Sequence, residues 1–510
     1  MAAAANRVAE AAKGAAQALA GVGTTATETS EQKKAEEVAH SVAPEKEGDD
    51  GKDTSAEATD SKVAASDEDN SKKAGGGTAA QKPKDPTDSH PSPLGEGAAA
   101  AIGAKPADNP TDRFAKTKGR GKSNIFLINS PRYHYEVVMP FLYSFSHLED
   151  VNVKLIGSPS GYNRFGVRPL LSEYALPHGL NLVGIDDLAN VQLEQPDLIF
   201  LVSCPEDTIH IGSYLTKWLE NGAHVMCIVH EASRWNLNDA DNDKSAYKGQ
   251  IGYMIPWIKK GQWEIVTLSN HVQKFVREKF PLYFNTGSDV AYPAEIVHPV
   301  FTPSNAEVII PKDEKPFSAI VGKLEPWRRN YDKIFRQYAK LNPPVDLHIV
   351  GAGLPLELPS EIEDRIKFDL NLDFPEYFAE VGKAIAVIPS FATREYTESQ
   401  ASSATATSII VGTPLLVSAD ILSAYSQIPE DCVWLQESGE TEIEAFTRVA
   451  KLGRGAWMEK KRKVAAMRQR MSTENMAFFE KRLSEISAAK KSSDSRDSKA
   501  IVKPKSSTIG

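Results

Sequence analysis

The run Val321-Gly322-Lys323-Leu324-Glu325-Pro326-Trp327-Arg328-Arg329 sets a glycine beside one cation and places a second, Arg329, six residues beyond the first. The residues before it, Phe317 to Val321, read as a buried strand. A glycine lets backbone approach a ligand closely, and cations near a strand end suit a diphosphate. A basic surface loop with solvated cations accounts for the same nine residues equally well.

Other residues of chemical interest follow apolar runs in the same way. His224 to Val229 leads straight into His230, which places an imidazole at a strand end, where either a cleft or local hydrogen bonds could occupy it. Leu347 to Val350 enters a turn containing Gly351 and Gly353, a pattern that tight turning alone explains. Ala384 to Ile388 delivers Pro389-Ser390, then a polar loop with Arg394, Glu395 and Glu398. A helix start rich in small residues, Ser399 to Ser408 with Ser402 and Thr407 inside it, ends at Gly412-Thr413-Pro414. Free N–H groups at such a start can seat a phosphate, and small side chains can equally serve close helix packing. Ser269 and Asn270 are explained by capping of the helix His271 to Lys279.

The elements that carry these residues are short apolar runs separated by helix-length segments. Asn124 to Ile128, Val151 to Ile156, Leu198 to Val202, His224 to Val229 and Ile265 to Leu268 form one series, closed by a short strand near Ala294. Ser318 to Val321, Leu347 to Val350, Ala384 to Ile388, Pro414 to Val417 and Cys432 to Leu435 form a second. Runs rich in Val, Ile and Leu without alternation imply parallel sheets covered on both faces. The predicted fold class is therefore α/β, with two doubly wound domains. Pro299, Pro303, Pro311 and Pro316 mark the connection, which gives domains over 122–304 and 305–456 and a helix over 457–488. Val464, Met467, Met471, Met476 and Phe479 recur along that helix as a packing stripe.

Of 41 aromatic residues, only Phe114 precedes residue 122, so the arm 1–121 is expected to be disordered, as is the tail 489–510. A net charge of −9 argues against a general nucleic-acid binder. Cys204, Cys227 and Cys432 have no close pair and sit in apolar runs, the pattern of buried reduced thiols. A reducing, cytoplasmic location follows as the default. No stretch has the roughly 18 continuous apolar residues of a membrane span, although peripheral membrane contact stays open.

Taken in order, these pieces resemble one family. Residues 124 to about 485 are similar to a glycosyltransferase of the GT-B fold, most similar to the family-four retaining glycosyltransferases. The matching segments are the strand ending in His230, Val266 to Ser269, His298 to Pro303, Gly322-Lys323 with Glu325-Pro326 and Arg329, His348 to Gly353, Ile388 to Ser390, and Gly412 to Pro414.

The resemblance implies two Rossmann-like domains, an acceptor domain followed by a nucleotide-sugar domain. It implies a hexosyltransferase-like enzyme that takes a UDP- or GDP-sugar and works with retention, without metal or a further cofactor. The acceptor, whether glycan, lipid or small molecule, is not specified. Lys323 and Arg329 match the cations on the donor phosphates, with lysine and arginine exchanged relative to the family. His230 matches the histidine facing the donor sugar, and the turn at Gly351 and Gly353 lines the cleft. Ser399 and Thr407 stand where the family carries paired glutamates, while Glu398 and Glu395 lie close enough to Ser399 for a local shift to restore the sugar contact. After the first strand, Asn129-Ser130-Pro131-Arg132 replaces the usual glycine-rich turn. The departure at the glutamates motivates an alternative, a GT-B scaffold that binds a nucleotide or protein partner without catalysis. A nucleotide-sugar epimerase fits the connection and the terminal helix less well.

Overall fold

The computed structural model describes residues 122–500 apart from 176–178, 192–193, 239–244, 287–289, 291, 304–309 and 311–314. The arm 1–121, the last ten residues and most of the proline-marked connection lie outside the described residues.

The first half alternates strands β1 (Ser123–Asn129), β2 (Val151–Gly157), β3 (Leu182–Gly184), β4 (Leu198–Leu201), β5 (His224–Val229), β6 (Trp263–Thr267) and β7 (Ala294–Ile296) with helices. These are α1 (Tyr135–Ser146), α2 (Pro159–Tyr162), α3 (Val167–Tyr174), α4 (Glu206–Glu220), α5 (Ser245–Lys259) and α6 (Asn270–Tyr283). The second half holds β8 (Phe317–Lys323), β9 (Asp346–Ala352), β10 (Ile366–Leu370), β11 (Ala386–Val387), β12 (Leu415–Val417) and β13 (Val433–Leu435). Its helices are α7 (Tyr331–Leu341), α8 (Phe374–Lys383), α9 (Glu395–Glu398), α10 (Ser403–Val411), α11 (Ala419–Ala424), α12 (Glu442–Lys451) and α13 (Gly453–Ala500).

Every strand pairing is parallel, and the sheets run β3-β2-β1-β4-β5-β6-β7 and β10-β9-β8-β11-β12-β13. This is the doubly wound α/β architecture expected, two Rossmann-like sheets in the GT-B arrangement. Each order reverses at its first strand, between β1 and β4 and between β8 and β11, and crevices for ligands open at such switch points. The loops after β1, β4, β8 and β11 lie at these points.

The helix α13 ties the two sheets together. Its first half donates from Lys461 to the Gly382 carbonyl and from Arg468 to the Ile410 carbonyl. Farther on, Phe479 packs among Phe141, Phe145 and Phe200, and Arg482 reaches Glu264 on β6 at 2.6 Å. Val464, Met467, Met471 and Phe479 are buried as the stripe predicts. The helix starts at Gly453 and continues to Ala500, beyond the range 457–488 drawn from sequence.

One expectation is overturned. Cys204 and Cys227 form a disulfide, with Cα atoms 5.7 Å apart, rather than two reduced thiols. Their 23-residue separation hides a sheet neighbourhood: β4 and β5 lie side by side, with Leu201 opposite Cys227, and Cys204 follows directly after β4. Cys432 remains a free thiol, pushed up to about 11 chiefly by burial.

Candidate active site

The loop after β1 and the loop after β4 are joined by one buried carboxylate. Asp207 accepts from the backbone N–H and the hydroxyl of Ser130 through Oδ1, and from the Ser203 N–H through Oδ2. Complete burial pushes it up to about 6, against the pull of those three donors. The anchored loop delivers His134, whose backbone is left-handed at φ 62° immediately before α1. Such a conformation costs a non-glycine residue about 1–2 kcal/mol and clusters at functional sites.

His134 stacks face to face on His230, which β5 delivers from the middle of the same sheet. His230 Nε2 lies 2.7 Å from the Val202 carbonyl. A carbonyl only accepts, so Nε2 carries the proton and Nδ1 is the acceptor of the neutral ring. Burial, then the neighbouring His134, hold His230 well below the ordinary histidine range despite that bond. The next residues zip onto the second half: Ala401 N–H donates to the His230 carbonyl at 3.0 Å, and Ala232 N–H to the Ser399 carbonyl at 2.8 Å. His271, on α6, adds contacts from its two ring nitrogens to the carbonyls of Ala424 and Gln400.

From the second half, β8 and β9 end in facing glycines. Gly322 pairs with Gly351, and a Cβ on Gly351 would lie 1.7 Å from the Gly322 oxygen. Gly322 itself has φ 114°, open only to glycine. After Lys323 the chain turns, with Arg328 and Arg329 N–H groups both reaching the Glu325 carbonyl, before Asn330 caps α7 through its side chain.

The space between these loops is a cavity of about 570 Å³. Its walls include His230, Gly322, Lys323, Gly351 and Thr407 from the sequence-derived set. A side chamber of about 70 Å³ adds Ser402, the residue whose hydroxyl caps α10 by accepting from the Ala404 N–H. His134, Glu136, His230, Arg328, Gln400 and Ser403 line both spaces and so form the wall between them. Ser399 is buried beside that wall, its backbone paired to the His230 segment.

Four sequence-derived residues sit elsewhere. Arg329 is only 2% exposed, its guanidinium over the rings of Phe391 and Tyr396 and its Nη2 3.6 Å from where a Gly322 Cβ would be. Glu395 and Glu398 bound the one-turn helix α9 and line neither space. Gly353, at φ 138°, turns the chain beyond β9 and is likewise outside both linings.

Sequence reasoning missed Arg328, which donates from Nε to the Tyr396 hydroxyl at 3.0 Å and faces the cavity in place of its neighbour. It also missed Tyr133 and Trp327 of the aromatic rim, although Phe165 in the loop 158–169 stands out in the sequence as a residue that could grip a sugar or simply pack. Among the described residues, the exposed aromatics Tyr133, Phe165 and Trp327 all line the large cavity. Tyr247 adds a phenol that donates to Glu206 at the same wall.

One cluster among the described residues has metal-ligand geometry, His348, Asp369 and Glu380, with candidate atoms within 4.8 Å of one another. Lys367 and Lys383 already neutralise its carboxylates at 2.7 and 2.9 Å, and Glu380 is held at about 2 by its bond with His348 first and by Lys383. These contacts make it an ion-pair network on the second sheet, outside both cavity linings.

The fold and the cleft define a two-domain α/β protein of GT-B type with a cavity at its switch points. No family profile matches the chain, and no curated protein matches it. Solved structures similar to it include Anabaena Alr3699/HepE in complex with UDP and glucose, 11% identical over 71% of this chain and 100% of that one, with a TM-score of 0.47. Sucrose-phosphate synthase from Thermosynechococcus elongatus is 13% identical over 72% and 100%, with a TM-score of 0.44. The calicheamicin glycosyltransferase CalG4 is 11% identical over 72% and 98%, with a TM-score of 0.36. No helix among the described residues is long and apolar enough to cross a membrane.

Proposed function

We propose that the protein is a glycosyltransferase that moves a sugar from a UDP- or GDP-sugar to a hydroxyl acceptor, with retention and without metal. The observation that carries this reading is the facing glycine pair, Gly322 and Gly351, opening beside Lys323 and Arg328 into a cavity that His230 also lines. Bare backbone and two cations are what a diphosphate needs, and a neutral imidazole acceptor is what a sugar hydroxyl needs. The second domain takes the nucleotide and the first takes the acceptor.

As the anomeric bond breaks, negative charge builds on the departing diphosphate. Lys323 and Arg328 face it, Arg329 adds positive charge from behind Gly322, and the start of α10 near Ser402 supplies N–H dipoles. Such preorganised donors are often worth about 3–4 kcal/mol each. Turnover of a panel of UDP- and GDP-sugars by wild type and Lys323→Ala tests the reading. A loss of 100-fold or more in the variant is expected, and equal rates remove the phosphate role.

Ser399 and Thr407 at the positions of the paired glutamates, with Glu395 and Glu398 off the cavity walls, favour a second reading as a binding scaffold. Thermal-shift titration separates the two, because a ligand of the folded state raises its apparent stability. A shift with diphospho-sugars but no turnover of any of them supports the scaffold.

A further inference from the structure

We propose that Glu136 is the carboxylate that stabilises positive charge on the donor sugar, supplied from the first domain where the second lacks the acid. The assignment rests on the glycosyltransferase reading. An oxocarbenium-like sugar needs a nearby anion, and the acids around α10 are not placed to provide one. Thr407 is engaged by the Tyr377 hydroxyl at 3.3 Å, and Ser399 is held in the backbone zipper with Ala232.

Three carboxylates line the two spaces: Glu136, Glu206 and Glu231. Glu206 accepts from Tyr247, and Glu231 accepts from Arg234, so both are engaged at the outer wall. Glu136 alone lines both the cavity and the side chamber, together with His230, Arg328 and Ser403. Its carboxylate lies 3.7 Å from His134 Nδ1, beyond ordinary hydrogen-bond distance. It lies in the first turn of α1, where the helix dipole favours a negative charge. Burial pushes the carboxyl up, but His134, its own backbone N–H and Arg328 together offset this and keep it below the usual carboxylate range.

The step balances without a proton on Glu136. The anomeric C–O bond to the diphosphate breaks with its electron pair going to the diphosphate oxygen. The acceptor oxygen forms the new bond to the anomeric carbon on the same face, and its proton passes to the departing diphosphate. Glu136 stays ionised throughout and acts through its charge alone.

The test uses the full chain, a panel of UDP- and GDP-sugars, and water as acceptor, reading release of UDP or GDP. Glu136→Gln keeps shape and removes charge, so its kcat is expected to fall 100-fold or more with donor KM within about threefold. Glu136→Asp is expected to recover at least a tenth of the wild-type rate, and all three proteins to show the same thermal shift with UDP or GDP. A Gln variant with at least half the wild-type kcat overturns the assignment. So does a Gln variant that loses the nucleotide shift, because the residue is then structural, and so does an Asp variant that folds and remains as slow as Gln. A wild type that releases nothing from any donor overturns the transferase reading itself, and the assignment with it.

Discussion

The imidazoles of His134 and His230 lie parallel, with centroids 3.9 Å apart and planes within 5°. Burial first, then the neighbouring ring, hold His230 well below the ordinary histidine range, so this imidazole is neutral. Its folded pKa lies well below 6.5, so it keeps one protonation state from pH 6 to 8, and turnover should show no acid limb near 6.5 from this residue. His230→Phe preserves a flat ring for stacking but removes the acceptor nitrogen and the bond to Val202. Donor turnover is expected to fall at least 100-fold while circular dichroism stays native. A wild-type limb near 6.5 that vanishes in the variant would contradict the neutral assignment.

Arg328 and Arg329 are adjacent in sequence and opposite in consequence. Arg329 is buried over Phe391 and Tyr396, so Arg329→Ala opens space under β8 and should lower the melting temperature by several degrees. Arg328 lines the cavity, so Arg328→Ala should weaken UDP or GDP binding about tenfold or more with little change in melting temperature. Calorimetric melting beside nucleotide titration checks the split. The reverse pattern would return the phosphate contact to Arg329.

Gly351→Ala should be far more damaging than an added methyl suggests. The new Cβ would meet backbone, 1.7 Å from the Gly322 oxygen, so no side chain can move aside. The strands must separate where the site needs them closest, at a cost of about 3 kcal/mol or more. Denaturant unfolding of the variant measures it, and a loss below about 1 kcal/mol would show that the β8–β9 ends can part freely.

Strands buried on both faces were legible because nothing in them alternates: the runs containing Ile125 to Ile128 and Ile349 to Val350 declare themselves. The edge strands β3 and β10 were not, since Ile366-Lys367-Phe368-Asp369-Leu370 alternates and pairs on one side only. Gly322, Lys323, Gly351 and His230 could be placed on the cavity wall because each lies at or just beyond the end of a recognisable strand. Arg328 could not be separated from Arg329, because a turn closed by the Glu325 carbonyl decides which guanidinium faces the cavity. Glu136 and His134 gave no signal, as they reach the shared wall only when α1 and α10 meet across the cleft.

Lys461 on α13 is 1% exposed and donates to the Gly382 carbonyl and, at 3.2 Å, to the Thr413 hydroxyl, with no carboxylate among its bonded partners. Burial lowers it to about 7 from an unfolded value of 10.5. Below pH 7 both states are protonated and the folded state bears the full cost of a buried ammonium. Between 7 and 10.5 the unfolded chain holds more protons, so this group makes stability rise with pH, by about 1.4 kcal/mol for each unit of depression when complete. Lys461→Met should therefore lose that rise and be at least as stable as wild type at pH 7, provided the Gly382 carbonyl finds water. Urea midpoints at pH 7 and 9.5 for both proteins decide it. A wild type whose midpoint falls between those values, while that of Lys461→Met falls equally, would show that the ammonium stays charged and paid for by its two oxygen partners.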